Sequence, residues 1–582
     1  METAATTAYA TERLDHLGIV AGVCREIGLA EFLDEHAADS RQKVSLGTAT
    51  AAMVLNGLGF SNRRLYLVPQ FFENKPVERL LGVPGIEAAD LNDDCLGRAL
   101  DWLYANDVTR LFAGIALRAR RAFGIEEPSR VHVDTTSFSV NGKYEAITTT
   151  TTGGGNDEEE EEEEEETMLA VTYGYSRDHR ADLKQWMLAL ATTHEGDVPL
   201  FMCPLDGNSS DARTLVAAME ALKEQLRGEE ETGEEGPSVA ASIYVADAGI
   251  YGEENMSRLA RAGVEWVSRV PATSTAARSA IDPEEPPDWQ HDDDDDDDDD
   301  DARLRWYTRL MELPQGIERW VVLSSEEGRE RAEKTFWRQA ARQQEAWEKT
   351  LRRLGNRAFA CEADAREALK EATKRMPEWL KVEKTTLSSR PRYAKGGRPG
   401  KDARPASIEW RIKATLGIDR ERAEHECERR ARYIVGTSVL DPARLSEEEL
   451  IRIYKGQGGV ERGFRFLKDP LFLASSVFVK KPERIVALGF VMVVCLLVYR
   501  LAEHRLRKRL AESGQSIPNQ AGKPSARPTM RWVFQFFEGI DVLYVRSPTG
   551  IVSRHVLHLR PVHEQVLRLL GPAYQKLYDV PI

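Results

Sequence analysis

A chain of 582 residues, 42% of them hydrophobic, is too long for one core and should divide into several domains. Its formal charge of −16 would weigh against a polyanionic partner, but Asp157–Glu166 and Asp292–Asp301 are unbroken runs of ten acids each, and without them the remainder carries −16 + 20 = +4. Like-charge blocks of this length cannot pack and are expected to be solvated, disordered inserts, so a nucleic-acid partner is not excluded.

The N-terminus has no basic region followed by an apolar core, so no signal peptide is read. Residues 1–125 are predicted to be a helical domain, with apolar positions recurring at three- and four-residue spacing through VSLGTATAAMVLNGLGF and LGRALDWLYANDVTRLFAGIALRARRAF. The texture then changes. SRVHVDTTSFSV (129–140) is β-branched and alternating, as a strand should be. Further strand-like runs follow at 168–176, 184–194 and 198–207, then an amphipathic helix at 210–228. A strand at 238–252, a short helix at 253–262 and a strand at 264–271 complete a region bounded at 126–271.

This order is that of a ribonuclease-H-like mixed sheet, in which the first and fourth strands lie side by side. Counting 184–207 as one strand region, Asp134 falls in the first strand and Asp247 at the end of the fourth. Neighbouring strands are about 4.8 Å apart, so the two carboxylates can converge.

Residues 272–430 read as an inserted domain, with a strand pair, a long charged helical stretch (328–376) and a Gly/Pro/Arg-rich segment (390–405). Eight basic residues stand between Arg390 and Lys413 against two acids; Arg390, Arg392, Lys395, Arg398 and Lys401 form a candidate phosphate-tracking strip. GGRPGK within it reads equally as a flexible linker. Trp410 beside the strip reads as a core residue, the alternative being a platform for a flipped base.

The second part of the core is expected over 431–510, with a strand at 431–440 and a helix at 445–454, and a helical C-terminal region over 511–582. The fifteen-residue apolar run Ile485–Tyr499 is shorter than the roughly 20 residues a spanning helix needs, so it reads as a buried core helix, and no membrane is expected. Six scattered cysteines with no CxxC pair argue against zinc and disulfides and fit a reducing cytoplasm.

In YKGQGGVERGFRFLKDP, residues Tyr454, Gln457, Glu461 and Lys468 fall on one narrow face if the segment is helical throughout, at about 100° per residue. Three glycines make its first half a poor helix, so Glu461 is expected to open the helix while Tyr454 approaches from a preceding loop. A plain i,i+4 surface pair of Glu461 with Arg465 is the bland reading. His132 shares a strand face with Asp134 and reads as a packed residue; His555, His558 and His563 read as surface or groove residues.

The chain resembles DDE transposases of the insertion-sequence-four superfamily, whose third acid sits in a Y-x2-R-x3-E-x6-K pattern. Tyr454, Glu461 and Lys468 match it in register, and Gln457 stands where the family has Arg. VHVDTTSF and YVADAGIYGEEN resemble that family's first and second Asp motifs, and GYSRDHRADLKQ and GNSSD are similar to its intervening texture.

The resemblance implies an α/β (α+β, multidomain) protein with catalytic, metal-binding Asp134, Asp247 and Glu461 around two Mg2+ ions, or Mn2+ in their place. It implies phosphate contacts from Tyr454, Gln457, Arg465 and Lys468. It implies cut-and-paste transposition on double-stranded DNA (terminal inverted repeats and target), a homodimer on paired ends, and a prokaryotic, cytoplasmic, nucleoid-associated location. The alternatives are an inactive DNA-binding descendant and a nuclease of the same fold without strand transfer.

Overall fold

The computed structural model describes residues 8–582 apart from 38–41, 61–66, 127, 141–168, 175–179, 181, 210, 232–241, 284–286, 292–303, 394–403, 470–480 and 548–549. Both acidic runs, and Lys395, Arg398 and Lys401 of the basic strip, lie outside the described residues. The chain forms two compact units. One comprises Met1–Ser268, Pro314–Gly316 and Ala443–Ile582; the other comprises Arg269–Leu313 and Ile317–Pro442.

The first unit begins with strand β1 (Ala8–Arg13) and helices α1–α7 between residues 17 and 123. Helix α3 (Leu46–Leu58) is built from small and aliphatic residues and is buried almost all round. Helices α6 (Asp93–Ala105) and α7 (Val108–Phe123) are amphipathic, and each is capped by the residue before it. Asn92 accepts from the Cys95 N–H and Asp107 from those of Thr109 and Arg110, caps typically worth about 1 kcal/mol each.

The sheet follows: β2 (Arg130–Val140), β3 (Lys184–Thr193), β4 (Pro199–Leu205), helix α8 (Asp211–Glu231), β5 (Ile243–Ala246), α9 (Glu253–Arg261) and β6 (Glu265–Val270). The spatial order is β4-β3-β2-β5-β6, antiparallel from β4 to β2 and parallel from β2 to β6. The strands expected to be first and fourth therefore do lie side by side, and the 184–207 region is two strands joined by a tight turn. The strand expected at 168–176 is reduced, among described residues, to a single bridge from Thr172 to Gln185.

β2 is buried on both faces. Val131 and Val133 pack with Leu215, Met219 and Leu222 of α8. Phe138 and Val140, of opposite parity, join the core that includes Val460 and Phe464. His132, Asp134 and Thr136 share the parity of Phe138 and so face that second side.

The second unit holds α10 (Thr275–Ile281), strands β7 (Gln290–His291), β8 (Leu304–Leu313) and β9 (Gly316–Ser325), α11 (Glu326–Gly355), α12 (Glu362–Thr373), the hairpin strands β10 (Leu380–Arg392) and β11 (Ser407–Ile418), α13 (Arg420–Ala431) and β12 (Tyr433–Thr437). The charged helical stretch comprises two helices, α11 and α12. GGRPGK, read equally as a linker, lies outside the described residues, while residues 390–392 and 407–413 at the two ends of the basic stretch belong to the paired hairpin. Its register pairs Arg390 with Glu409, Ser388 with Arg411 and Thr386 with Lys413, so Arg390, Arg392, Arg411 and Lys413 share one face. Ile412, on the other face, packs with Leu351 and Leu354 of α11. Trp410 is half-buried, and its backbone pairs with that of Phe359.

The first unit resumes with α14 (Glu447–Lys455), α15 (Gly458–Leu467) and α16 (Pro482–Ser513). The apolar run expected as a core helix lies within α16, whose most apolar stretch is entirely buried against the N-terminal helices. Hairpin strands β13 (Ile517–Pro518) and β14 (Pro524–Ser525) follow, then α17 (Met530–Phe536), strands β15 (Asp541–Ser547) and β16 (Gly550–Leu557), α18 (Pro561–Leu570) and α19 (Pro572–Leu577).

The C-terminal region, expected to be helical, holds strands besides its helices. β1, β15 and β16 form a three-stranded antiparallel sheet, with Tyr9 opposite Val545. Val542 and Tyr544 are buried while their neighbours are not, which is the two-residue period of a half-buried strand.

Candidate active site

The parallel pairing of β2 with β5 sets Val131 opposite Tyr244 and His132 opposite Val245. Asp134 and Asp247 each lie two residues beyond that last pair and share its side of the sheet. Asp134 is 7% exposed, and its Oδ1 accepts the Thr135 N–H at 2.7 Å. Asp247 stands where β5 ends. Its Oδ1 accepts the Gly249 N–H at 2.8 Å, capping the short helical turn Ala248–Ile250, while its carbonyl accepts the Ser268 hydroxyl at 2.8 Å. Backbone geometry thus fixes both carboxylates.

The third acid comes from helix. Ser446 caps α14 through the Glu449 N–H, and Tyr454 lies in the last turn of α14, not in a loop as expected. Gly456 (φ −61°, ψ −15°) and Gln457 (φ −55°, ψ −24°) both keep helical dihedrals, so α14 runs into α15 with only a slight break. Glu461 sits in the first turn of α15, where the helix dipole favours an acid. The single-face arithmetic for Tyr454, Gln457, Glu461 and Lys468 therefore applies.

All four line one cavity of about 460 Å3 together with Asp134, Asp247 and Arg465; Thr135, Thr136 and Phe464, not anticipated from sequence, complete it. Glu461 and Arg465 are exposed and form no ion pair with each other, so the bland surface-pair reading is not realised. Lys468 ends α15, its ammonium 5.8 Å from the centre of the Phe138 ring, which stacks on Trp186.

The glycines read as helix weakeners have a packing role. A Cβ on Gly459 would collide with the Asp197 carboxylate, and one on Gly456 would come within 2.8 Å of the His194 ring. Asp197 occupies the β3–β4 turn at φ +52°. It receives Arg462 of α15 at 3.0 Å and Arg500 of α16 at 3.6 Å. The helix carrying Glu461 is thus tied to the sheet by a carboxylate that sequence reasoning missed; its signal was the HEGD turn against a Gly-Gly pair.

His132, two residues before Asp134 on the same face, is buried and bonded ring to ring with His194 at 2.9 Å. Burial, with His194 beside it, pushes His132 down to about 4. Burial and then the cations Arg452 and Arg130 hold His194 low as well. His132 is a packed residue, as expected. His563 is not a surface residue: it is buried, accepts the Arg560 N–H and meets the Phe536 carbonyl at 2.8 Å.

The cavity's carboxylate donors are all oxygen, the preference of Mg2+ and Mn2+. Among the described residues no group of three or more His, Cys, Asp or Glu side chains closes around an ion site by itself. Mg2+ typically keeps several waters and takes substrate phosphates besides one or two carboxylates, so this donor set fits it. Of the basic strip, Arg390 and Arg392 lie in the second unit, and Arg392 is paired with Glu409 at 2.8 Å.

Comparison with known proteins adds two family matches. A model described as the transposase DDE domain matches residues 127–498, and one described as a domain of unknown function (DUF4277) matches residues 9–117. No curated protein matches the chain. A solved structure, a piggyBac transposase synaptic complex with hairpin DNA, is 8% identical with a TM-score of 0.35, over 91% of this chain and 82% of that one; a likeness so slight carries no argument.

Proposed function

The chain belongs to the transposase DDE-domain family, and from that premise we propose that it cleaves DNA at transposon ends and joins the freed 3′-OH to target DNA, with Asp134, Asp247 and Glu461 as its metal-holding acids. The observation that carries this reading is that three acids from three distant stretches of sequence line one cavity alongside Arg465 and Lys468. The strand order β4-β3-β2-β5-β6 supports a ribonuclease-H-like core. The separate compact unit between β6 and α14 supports an inserted domain before the third acid. The Tyr454, Glu461 and Lys468 register supports the insertion-sequence-four group. A homodimer on paired ends and a cytoplasmic setting complete the reading.

Bound divalent ions would activate the attacking oxygen and neutralise charge at the phosphodiester. The chain's own groups do the rest. The Asp134 and Asp247 carboxylates are pre-set by backbone hydrogen bonds, so little reorganisation accompanies ion entry. Lys468, steadied over Phe138, and Arg465 hold backbone phosphate oxygens near the scissile bond. Tyr454 and Gln457 add neutral hydrogen bonds at the same wall. Phe464, nearly buried, gives the cavity an apolar flank that limits water.

Labelled element ends incubated with Mg2+ and target DNA test the reading. The wild-type chain should give cleaved and joined products. Asp134→Ala, Asp247→Ala and Glu461→Ala should each cut cleavage by roughly 1000-fold or more while end binding persists. Cleavage without joining would convert the reading to a nuclease, and full activity in any one variant removes that residue from the site.

A further inference from the structure

At the Arg130 end of β2, four residues before Asp134, a second, larger cavity of about 630 Å3 opens within the same unit. Five cations line it, Arg130, Arg452, Arg507, Lys508 and Arg527, against two carboxylates, Glu195 and Glu503. Glu503 is nearly buried and already engaged, receiving Arg500 and Arg507 at 3.1 Å and the Met530 N–H at 2.8 Å. Arg130 is braced by an ion pair with Glu449, which Arg452 also approaches at 3.6 Å. Lys508 and Arg527 are exposed, and neither side chain has an ion-pair partner among the described residues. Of the two lining carboxylates, Glu195 alone leaves its charge open to the cavity.

Two histidines line the same cavity. Burial first, then Arg452 and Arg130, hold His194 below its ordinary range; burial first, then Lys508, does the same to His504. Burial is the larger cause in both, and the cations that add to it are the same excess of positive charge that would attract an anion.

The placement says which anion. Arg130, His132 and Asp134 form one row on one strand face. From Arg130 to Asp134 is four residues, about 13 Å, or roughly four base-pair rises of a duplex. The helical wall repeats the pattern, since Arg452 lines the basic cavity while Tyr454 and Gln457 line the acidic one.

We propose that this basic cavity is a second DNA site, gripping backbone phosphates of the duplex a few base pairs from the bond held at the acidic cavity. The proposal rests on the transposase reading for which DNA is held there, but its charge argument stands on its own. Arg130, Arg452, Lys508 and Arg527 make the phosphate contacts, and Arg507, tied to Glu503 and to the Pro528 carbonyl, forms the rigid floor.

The test is Lys508→Ala/Arg527→Ala in the full chain, with a short labelled duplex of arbitrary sequence titrated at several salt concentrations. Neither side chain is buried or ion-paired among the described residues, so thermal unfolding should match the wild type. The slope of log K against log salt should become shallower by about 2, roughly 0.9 for each phosphate no longer neutralised, with weaker binding at every sequence. An unchanged slope and affinity overturns the proposal. If the slope changes but the wild-type chain never cuts an element end, the transposase reading falls and the cavity remains a duplex site. If the chain cuts and the slope is unmoved, only the cavity proposal falls.

Discussion

The two ends of the row Arg130, His132 and Asp134 on strand β2 make a useful contrast. At one end, Asp134 lines one cavity with Asp247 and Glu461, and backbone hydrogen bonds fix the first two of these carboxylates. At the other, Arg130 opens a cavity dominated by cations, two of which reach solvent with no ion-pair partner among the described residues. Between them lies the His132–His194 ring pair, His132 buried and His194 half-buried. Acid and base are thus separated by a pair of rings, and neither cavity loses its field to the other through direct pairing. One strand and one helical wall serve both, so a disturbance of the wall should reach the acid end first, where geometry matters more than summed charge.

The largest effect that would sharpen this contrast comes from the wall's tie to the sheet. Gly459→Ala should lower stability by about 1–3 kcal/mol, read by chemical unfolding, and should slow cleavage far more than duplex binding. Adding Asp197→Ala removes the carboxylate it strikes, so the double variant should lose less than the sum of the two singles. Simple additivity would mean the wall does not hang on that contact.

A comparable effect comes from two buried histidines, His132 between the cavities and His16 just before the N-terminal helices. His16 and His132 are each pushed down to about 4 in the folded chain, chiefly by burial. An unfolded chain binds protons at these rings from about pH 6.5 downward while the folded chain refuses them. Stability from this source is therefore complete above about pH 6.5 and is lost as pH falls toward 4, by up to roughly 3 kcal/mol for a fully neutral ring. Unfolding midpoints across that range should show the decline, and His132→Gln should make it shallower.

The smallest expected effect is at the acid end's one departure from the transposase pattern. Gln457→Arg restores a cation to the cavity wall and should match or modestly raise cleavage, within about tenfold. A large loss would show that the side chain at 457 does not face phosphate.

Much of the acid end was legible in the amino-acid order. A β-branched segment carrying Asp134, a strand ending at Asp247 and a patterned helix carrying Glu461 each had a local signature, and the ordering of strands placed the first two together. What escaped was tertiary. The helix through Tyr454 was discounted because three glycines were counted as lost propensity, whereas Gly456 and Gly459 are where His194 and Asp197 press against the backbone. Asp197 sits in a turn that composition alone marks only as polar. The strands at 541–557 have the two-residue period, but in a segment flanked by helices that period was overlooked. Arg507 and Lys508 of the basic cavity stand in the locally basic run HRLRKRL (504–510), but Arg130 and Arg452 come from distant stretches, so a local charge count finds only part of it.

The pairing of β1 with β15 also sets a timetable. Residue 541 leaves the ribosome 533 residues after residue 8 (541 − 8), a delay of about half a minute to two minutes at typical elongation rates. For most of that interval the apolar N-terminal helices lack both this strand and the α16 surface they pack on, so the nascent chain must be shielded until these segments have emerged. Slowed elongation late in the message should therefore raise aggregation, whereas a pause before α7 should not.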